Sequence, residues 1–141
     1  MLAKGFGAAL QGIDALSVTI EASVTAGVGF CIVGLPDTAV KESYERVKSA
    51  LAECGFDFPR RSVVINMSPA DIKKEGAAYD LPIAIAILAA DEKLAAEHLS
   101  QYLMMGELSL DGTLLPIKGV LPMAIKAREM GFKGFIVPKA N

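Results

Sequence analysis

The run of ten apolar residues from Leu81 to Ala90 constrains the fold more than any other feature of this sequence. It has about half the length that a membrane-spanning helix needs, so we expect no transmembrane segment. Asp80 is placed to cap a helix here, and Pro82 is tolerated in a first turn. A helix that is apolar nearly all round has to lie inside a core. The sequence therefore predicts a domain with this helix buried at its centre.

The composition is that of one packed domain. The chain has 141 residues, within the usual domain size of roughly 100–150, and a hydrophobic content of 52% argues against disorder. Its 14 basic and 16 acidic residues create no general field for nucleic acid, although a local basic patch stays open. No secretory signal is evident, so we expect a cytoplasmic protein. Cys31 and Cys54 are then expected to be reduced, buried, small apolar residues.

The periodicity changes along the chain from that of strands to that of helices. Leu16–Val24 alternates apolar with polar residues, which is typical of a strand with one wet face. Apolar spacings of three and four follow Asp37, a plausible N-cap. We predict strands at Lys4–Leu10, Leu16–Val24, Gly29–Val33, Ser62–Met67, Leu103–Leu110, Thr113–Ile117 and Gly134–Val137, and helices at Asp37–Gly55, Asp80–Ala90, Leu94–Gln101 and Val120–Met130.

The motifs of nucleotide and metal sites are missing. The chain contains no phosphate-binding G-x-x-x-x-G-K-[ST] sequence, and Gly27–Gly29 leads into a strand rather than from a strand into a helix. His98 is the lone histidine, whereas zinc usually needs three or four converging ligands. Asp71, Glu75 and Asp80 could converge on a hard cation, but solvated or capping carboxylates are the favoured interpretation. We therefore predict no metal, cofactor or catalytic residue in this chain.

Several motifs together resemble one family. The segment Lys73–Ala84 leads from charges through a glycine and small residues into the buried helix, a junction where a nucleophile would lie near free backbone N–H groups. That segment and five others resemble the ComM/YifB family, often labelled magnesium-chelatase-like, over essentially the whole chain. The others are Phe30–Ser43, Phe58–Arg61, Asn66–Asp71, Met105–Gly112 and Leu115–Val120.

The resemblance implies a fold and a setting. Residues 1–141 would be a single N-terminal domain similar to the proteolytic domain of Lon and the C-terminal domain of RadA. That is an α+β fold with a mixed β-sheet packed against helices, which suits the predicted order of elements. Family members carry this domain ahead of an AAA+ ATPase module, which would hold ATP and magnesium and form a homo-oligomeric ring, a hexamer. The implied bacterial protein is a DNA helicase or branch-migration motor.

Lon-type proteases use a serine–lysine dyad, and the resemblance transfers these two positions to Ala78 and Met123. Covalent catalysis needs an oxygen or sulfur nucleophile with a base in hydrogen-bond reach, and neither side chain can take part. Ser68 lies before the loop, and Lys118 precedes the helix by about a turn. Tyr79 is adjacent, but packing is its expected role. We therefore expect a Lon-like domain without proteolytic activity.

Two basic pairs flank the strand Ser62–Met67 and are the candidate contacts for nucleic acid or a protein interface. They are Arg60, Arg61, Lys73 and Lys74. The competing interpretation is a set of solvated charges, with the arginines paired to Asp57 or Glu53. No exposed aromatic series is expected beside them, because the phenylalanines are assigned to the core. DNA contact by this domain alone should then be weak.

Two functions from different classes remain open. The first is an accessory domain of an AAA+ motor that helps ring assembly or guides DNA, and a continuous positive surface joining the basic pairs would favour it. The second is a peptide- or partner-protein-binding domain that keeps a Lon-like groove without its chemistry. An exposed apolar groove beside Ala78 and Met123 would favour that alternative. A live hydrolase is the weakest hypothesis.

Overall fold

A computed structural model describes all 141 residues and shows a mixed six-stranded sheet with helices packed against it. The strand order is β3-β4-β2-β1-β5-β8, and β6 and β7 form a separate hairpin. The elements are β1 (Leu2–Gln11), β2 (Asp14–Thr25), β3 (Gly29–Val33), α1 (Thr38–Lys41), α2 (Ser43–Glu53), β4 (Ser62–Ser68), α3 (Asp80–Ala90), β5 (Tyr102–Met104), β6 (Glu107–Leu108), β7 (Leu114–Leu115), α4 (Val120–Glu129) and β8 (Gly134–Ile136).

The sheet is antiparallel in its middle and parallel at both ends. β2 pairs antiparallel with both β1 and β4, whereas β3 runs parallel to β4 and β8 runs parallel to β5. Alternate residues of β2 from Val18 to Val24 are fully buried, as the alternation predicted. The α+β class and the mixed sheet are therefore confirmed.

Helix α3 lies in the core, as its composition predicted. It packs against β1 and β2, and only Leu81 and Ile85 among its residues are not fully buried. Helix α4 packs against the same two strands and against β8. None of the helices combines the length and the apolar character that crossing a bilayer requires.

Four predicted elements are divided or shortened, and one of them is the strand expected at Thr113–Ile117, of which only β7 forms. The single helix expected at Asp37–Gly55 is broken at Glu42, whose carbonyl accepts a tight i+3 hydrogen bond from Glu45. The strand expected at Leu103–Leu110 becomes β5 and β6 because the backbone of Gly106 between them bonds to the loop before α3. The helix expected at Leu94–Gln101 is reduced to one 3₁₀ turn at its end.

The two cysteines lie at the surface. Both thiols are free, as predicted, but the expectation that they are buried is wrong. Cys31 lies on the outward-facing register of β3, an edge strand, and Cys54 is the C-cap of α2. Neither position could be recognised as exposed from an apolar sequence context alone.

Candidate functional site

The two positions of the expected dyad line one cavity. Its volume is about 800 Å³, and we call it the dyad cavity because Ala78 and Met123 both line it. The loop after β4, the end of β1 and the segment from β7 to α4 form its walls. Other lining residues that bear on its chemistry are Asp37, Lys73, Glu75, Tyr79, Glu107 and Lys118.

Backbone hydrogen bonds fix the position of Ala78. Its carbonyl accepts from the N–H of Gly106 at 2.7 Å, and the Gly106 carbonyl accepts from the N–H of Leu81 at 3.0 Å. The loop before α3 is thus held between the β5–β6 connection and its own helix. Ala78 is half-buried, and the only side-chain group that it presents to the cavity is a methyl group.

The start of α4 places Met123. Gly119 precedes the helix with a φ of +79°, a conformation that favours glycine, and an added side chain there would collide with Leu10. Met123 is 3% exposed and donates its N–H to the Gly119 carbonyl at 3.2 Å. Lys118 is exposed at the cavity wall in the turn before the helix. A thioether therefore lies at the position to which the resemblance transfers the lysine.

Asp80 is buried and paired, contrary to its predicted role as a helix cap. Its carboxylate accepts from Ser43 Oγ at 2.6 Å, from Arg46 Nε at 2.7 Å and Nη2 at 3.1 Å, and from the Leu108 N–H at 3.1 Å. The hydrogen bond to Asp80 raises the pKa of Arg46, against the opposing effect of burial. This network joins α2, the start of α3 and β6 behind the dyad cavity.

Lys74 also lies inside the protein, although the sequence placed it among the candidate surface contacts. It is fully buried, and its ammonium group donates to the carbonyls of Gly34, at 2.8 Å, and of Pro69. The backbone N–H of Lys74 donates to the carbonyl of Leu35, and the carbonyl of Lys74 accepts from the N–H of Asp37, each at 2.9 Å. Lys74 therefore holds two loops together and is not available to a phosphate at the surface.

Burial also affects two titrating groups at this wall. Desolvation lowers the pKa of Lys74, with the charge of Asp71 opposing it. Tyr79 is 2% exposed, which confirms its predicted packing role. Its burial raises the pKa of the phenol, and the carboxylates of Asp37 and Glu75 add to that effect. The hydroxyl of Tyr79 therefore stays protonated at neutral pH and does not serve as a base.

Asp37 connects the loop of the dyad cavity to α1. One carboxylate oxygen accepts from the Val40 N–H at 2.8 Å, which confirms the predicted N-cap. The other accepts from the N–H of Gly76 at 3.0 Å. The remaining carboxylates do not converge as a cation site would require, because no group of three such side chains forms. His98 is exposed, away from this cavity.

A second cavity lies beside the arginine pair. Its volume is about 470 Å³, and we call it the aromatic cleft because three aromatic rings line it together with three cations. These residues are Phe30, Tyr44, Phe58, Lys48, Arg60 and Arg61. The three rings are half-buried rather than exposed, and Phe30 and Phe58 pack against the core as predicted, but the sequence did not indicate that they meet beside the arginines.

The basic residues do not form one surface. Arg60 and Arg61 are exposed at the aromatic cleft and make no ion pair, so the expected pairing with Asp57 or Glu53 does not occur. Lys73 is exposed at the dyad cavity, and its Nζ lies 3.8 Å from Oε1 of Glu75. The two predicted pairs thus open onto different cavities, and one member of the second pair is internal.

The fold and the dyad cavity define a Lon-like domain. A Lon protease from Roseiflexus castenholzii is 29% identical over 131 residues, which cover 86% of this chain and 16% of that protein. A family model described as subunit ChlI of Mg-chelatase matches residues 20–141. The chain belongs to this magnesium-chelatase-like family, of the ComM/YifB type.

Two relatives support that assignment over nearly the whole chain. The uncharacterized protein YifB of Escherichia coli is 45% identical over 134 residues, 94% of this chain. The competence protein ComM of Haemophilus influenzae is 44% identical over 141 residues, 99% of this chain. The chain spans 26% of the length of the first and 28% of the second.

Proposed function

We propose that this chain is a non-catalytic accessory domain of a ComM-like AAA+ ATPase. The whole protein would be a cytoplasmic DNA helicase or branch-migration motor that acts in recombination or natural transformation. ATP and magnesium would bind in a module outside residues 1–141, and the protein would assemble as a homo-oligomeric ring, a hexamer. Within it, this domain would help ring assembly or guide DNA.

One observation carries the non-catalytic role: the two dyad positions line a single cavity, and both hold apolar side chains. Covalent catalysis by a serine–lysine dyad needs a nucleophile and a base within about 3 Å of each other. Ala78 offers no attacking atom, and the sulfur of Met123 does not accept a proton at neutral pH. We infer that the cavity corresponds to the proteolytic site of Lon without the groups that cleave a peptide.

The test uses the whole protein with and without residues 1–141. We expect the intact protein to form a ring by size-exclusion chromatography with light scattering, and to hydrolyse ATP faster with DNA. Removing the domain should reduce assembly or uncouple ATP hydrolysis from strand displacement. Hydrolysis of a fluorogenic peptide or of casein by the chain would contradict the proposal, provided that Lys118→Ala abolished it. Unchanged assembly and strand displacement after removal would contradict it too.

The alternative function, binding of a peptide or partner protein, is favoured by the edge of β1. That strand pairs with β5 only at Phe6, so Ala8–Gln11 has β2 on one side and lines the dyad cavity on the other. The Ala8 N–H already donates to Met105 Sδ at 3.4 Å, so an extended peptide could add only at the exposed Leu10 and Gln11, as in β-strand addition. The test is binding of a fluorescein-labelled unfolded polypeptide, which Ala78→Trp should block by filling the cavity. Unchanged binding by that variant would exclude the groove.

A further inference from the structure

The aromatic cleft gathers three rings from separate parts of the chain. Phe30 belongs to β3, Tyr44 to α2, and Phe58 lies shortly before β4. The ring centroids of Phe30 and Tyr44 are 4.6 Å apart, and Tyr44 meets Phe58 edge-on at 5.5 Å. All three rings are only half-buried although they pack together. The cluster is therefore both a fixed part of the fold and a π surface that a ligand can reach.

Cations without acidic partners surround these rings. Arg60, Arg61 and Lys48 line the cleft, and none of them forms an ion pair. The Lys48 ammonium lies 5.5 Å from the centroid of the Tyr44 ring, within the range of a cation–π contact. Asp57 is the one carboxylate in the lining. The cleft is thus locally positive in a chain whose net charge is −2.

This combination matches the chemistry of a nucleotide. A base stacks on aromatic faces without sequence preference, and guanidinium groups bind phosphate through paired N–H donors. The volume of about 470 Å³ is within the usual range of small-ligand sites. We propose that the aromatic cleft binds one nucleotide unit of single-stranded nucleic acid, with its base on the rings and its phosphate at Arg60 and Arg61.

The inference deepens the proposed guidance of DNA by assigning it a site, and it rests on the proposed function only in that respect. It does not depend on the dyad cavity or on ring assembly. A free nucleotide has the same base and phosphate, so the experiment includes it as a separate arm. Because binding is measured on the 141-residue chain, its failure is distinguishable from a failure of assembly or strand displacement in the whole protein.

The experiment is fluorescence anisotropy of the chain with a fluorescein-labelled (dT)12 strand at two salt concentrations. An abasic strand of the same length supplies phosphates without bases, and dTMP is added as a competitor. We expect (dT)12 to bind more tightly than the abasic strand. If dTMP competes at a concentration equal to the Kd of (dT)12, the result would support the site and identify a free nucleotide as its ligand. If dTMP competes only weakly, the result would support a nucleic-acid strand as the ligand.

The variants separate stacking from charge. Tyr44→Leu should weaken (dT)12 binding about 5-fold or more, the effect expected when one base has no stacking partner. Tyr44→Phe keeps a ring and should bind as the unchanged protein does, which guards against a simple folding defect. Arg60→Ala with Arg61→Ala should flatten the log–log salt dependence by about 0.7 for each phosphate that the variant no longer binds.

The matched control removes the same charge elsewhere. Lys133→Ala with Lys139→Ala removes two exposed cations beside β8, at the opposite edge of the sheet from β3, and should leave (dT)12 binding and its salt dependence unchanged. The proposal would be overturned by equal binding of the abasic strand, by an effect of the control as large as that of the arginine pair, or by no binding at high micromolar protein.

Discussion

The dyad cavity and the aromatic cleft differ in what their polar groups already bind. Beside the dyad cavity, but outside its lining, the buried groups Asp80 and Lys74 have partners within the protein. At the aromatic cleft, Arg60 and Arg61 are exposed and make no ion pair. A polar group with internal partners contributes to the fold, whereas one that faces solvent beside an aromatic surface is free to bind a ligand. The buried groups beside the dyad cavity therefore belong to the fold, whereas the arginines of the aromatic cleft are available to the ligand proposed above.

The largest expected effect is at Asp80. Asp80→Ala would leave the Arg46 guanidinium partly buried without its carboxylate, so we expect the free energy of unfolding to fall by about 3–5 kcal/mol. Urea unfolding followed by circular dichroism measures it. Glu75→Ala removes an exposed carboxylate from the lining of the dyad cavity and should change stability by less than about 0.5 kcal/mol. Equal effects of the two variants would remove the contrast between buried and exposed charge.

The adjacent lysines provide a matched pair with a smaller expected difference. Lys74→Met removes the donor to the carbonyls of Gly34 and Pro69, which should cost about 1–3 kcal/mol in the free energy of unfolding. Lys73→Met changes an exposed side chain and should cost less than about 0.5 kcal/mol. The same urea experiment measures both. If Lys73→Met were the more damaging, the assignment of Lys74 to the interior would be wrong.

At the aromatic cleft we expect almost no effect on stability. Arg60→Ala and Arg61→Ala should each change the free energy of unfolding by less than about 0.5 kcal/mol, because neither side chain has an internal ion-pair partner. Thermal unfolding of the two variants checks this. A decrease above about 2 kcal/mol would show that the arginines serve the fold, as Asp80 does, and the contrast between the two regions would fail.

The smallest effect concerns the hairpin of β6 and β7, beside the dyad cavity. Asp111 accepts from Ser109 Oγ and from the Thr113 N–H, which lowers its pKa to about 2. A lowered folded-state pKa adds stability above the ordinary value of 3.8, and that contribution disappears as the pH falls toward 2. Ser109→Ala should raise the pKa toward 3.8 in an NMR titration. No change would mean that the Ser109 hydroxyl does not hold the carboxylate.

Elements set by local pattern were predictable from the sequence. The alternation of β2, the apolar run of α3 and the N-cap at Asp37 each depend on residues within a few positions of one another. The motif transfer of the dyad to Ala78 and Met123 stays a prediction, and the structure shows that both residues line one cavity. Local periodicity carries enough information to predict β2, α3 and the cap at Asp37.

Features that depend on distant partners were not predictable. The sequence predicted Asp80 as a helix cap. Its actual partner, Arg46, lies 34 residues away in the chain, and no spacing rule connects the two residues. The sequence predicted Lys74 as one residue of an exposed basic pair. In the structure, the β3–α1 loop and the segment after β4 enclose it, and this contact cannot be predicted from local sequence. The aromatic cleft was missed for the same reason, since Phe30 and Phe58 were assigned to the core one at a time.

Helix α2 is shared by the two regions. Its first residue, Ser43, bonds to Asp80 in the network behind the dyad cavity, and one residue later Tyr44 contributes a ring to the aromatic cleft. A ligand that displaced this helix from either the dyad cavity or the aromatic cleft would change the geometry of the other region as well. Thermodynamic linkage then sets a strict condition: whatever factor one ligand imposes on the affinity of the second, the second must impose on the first.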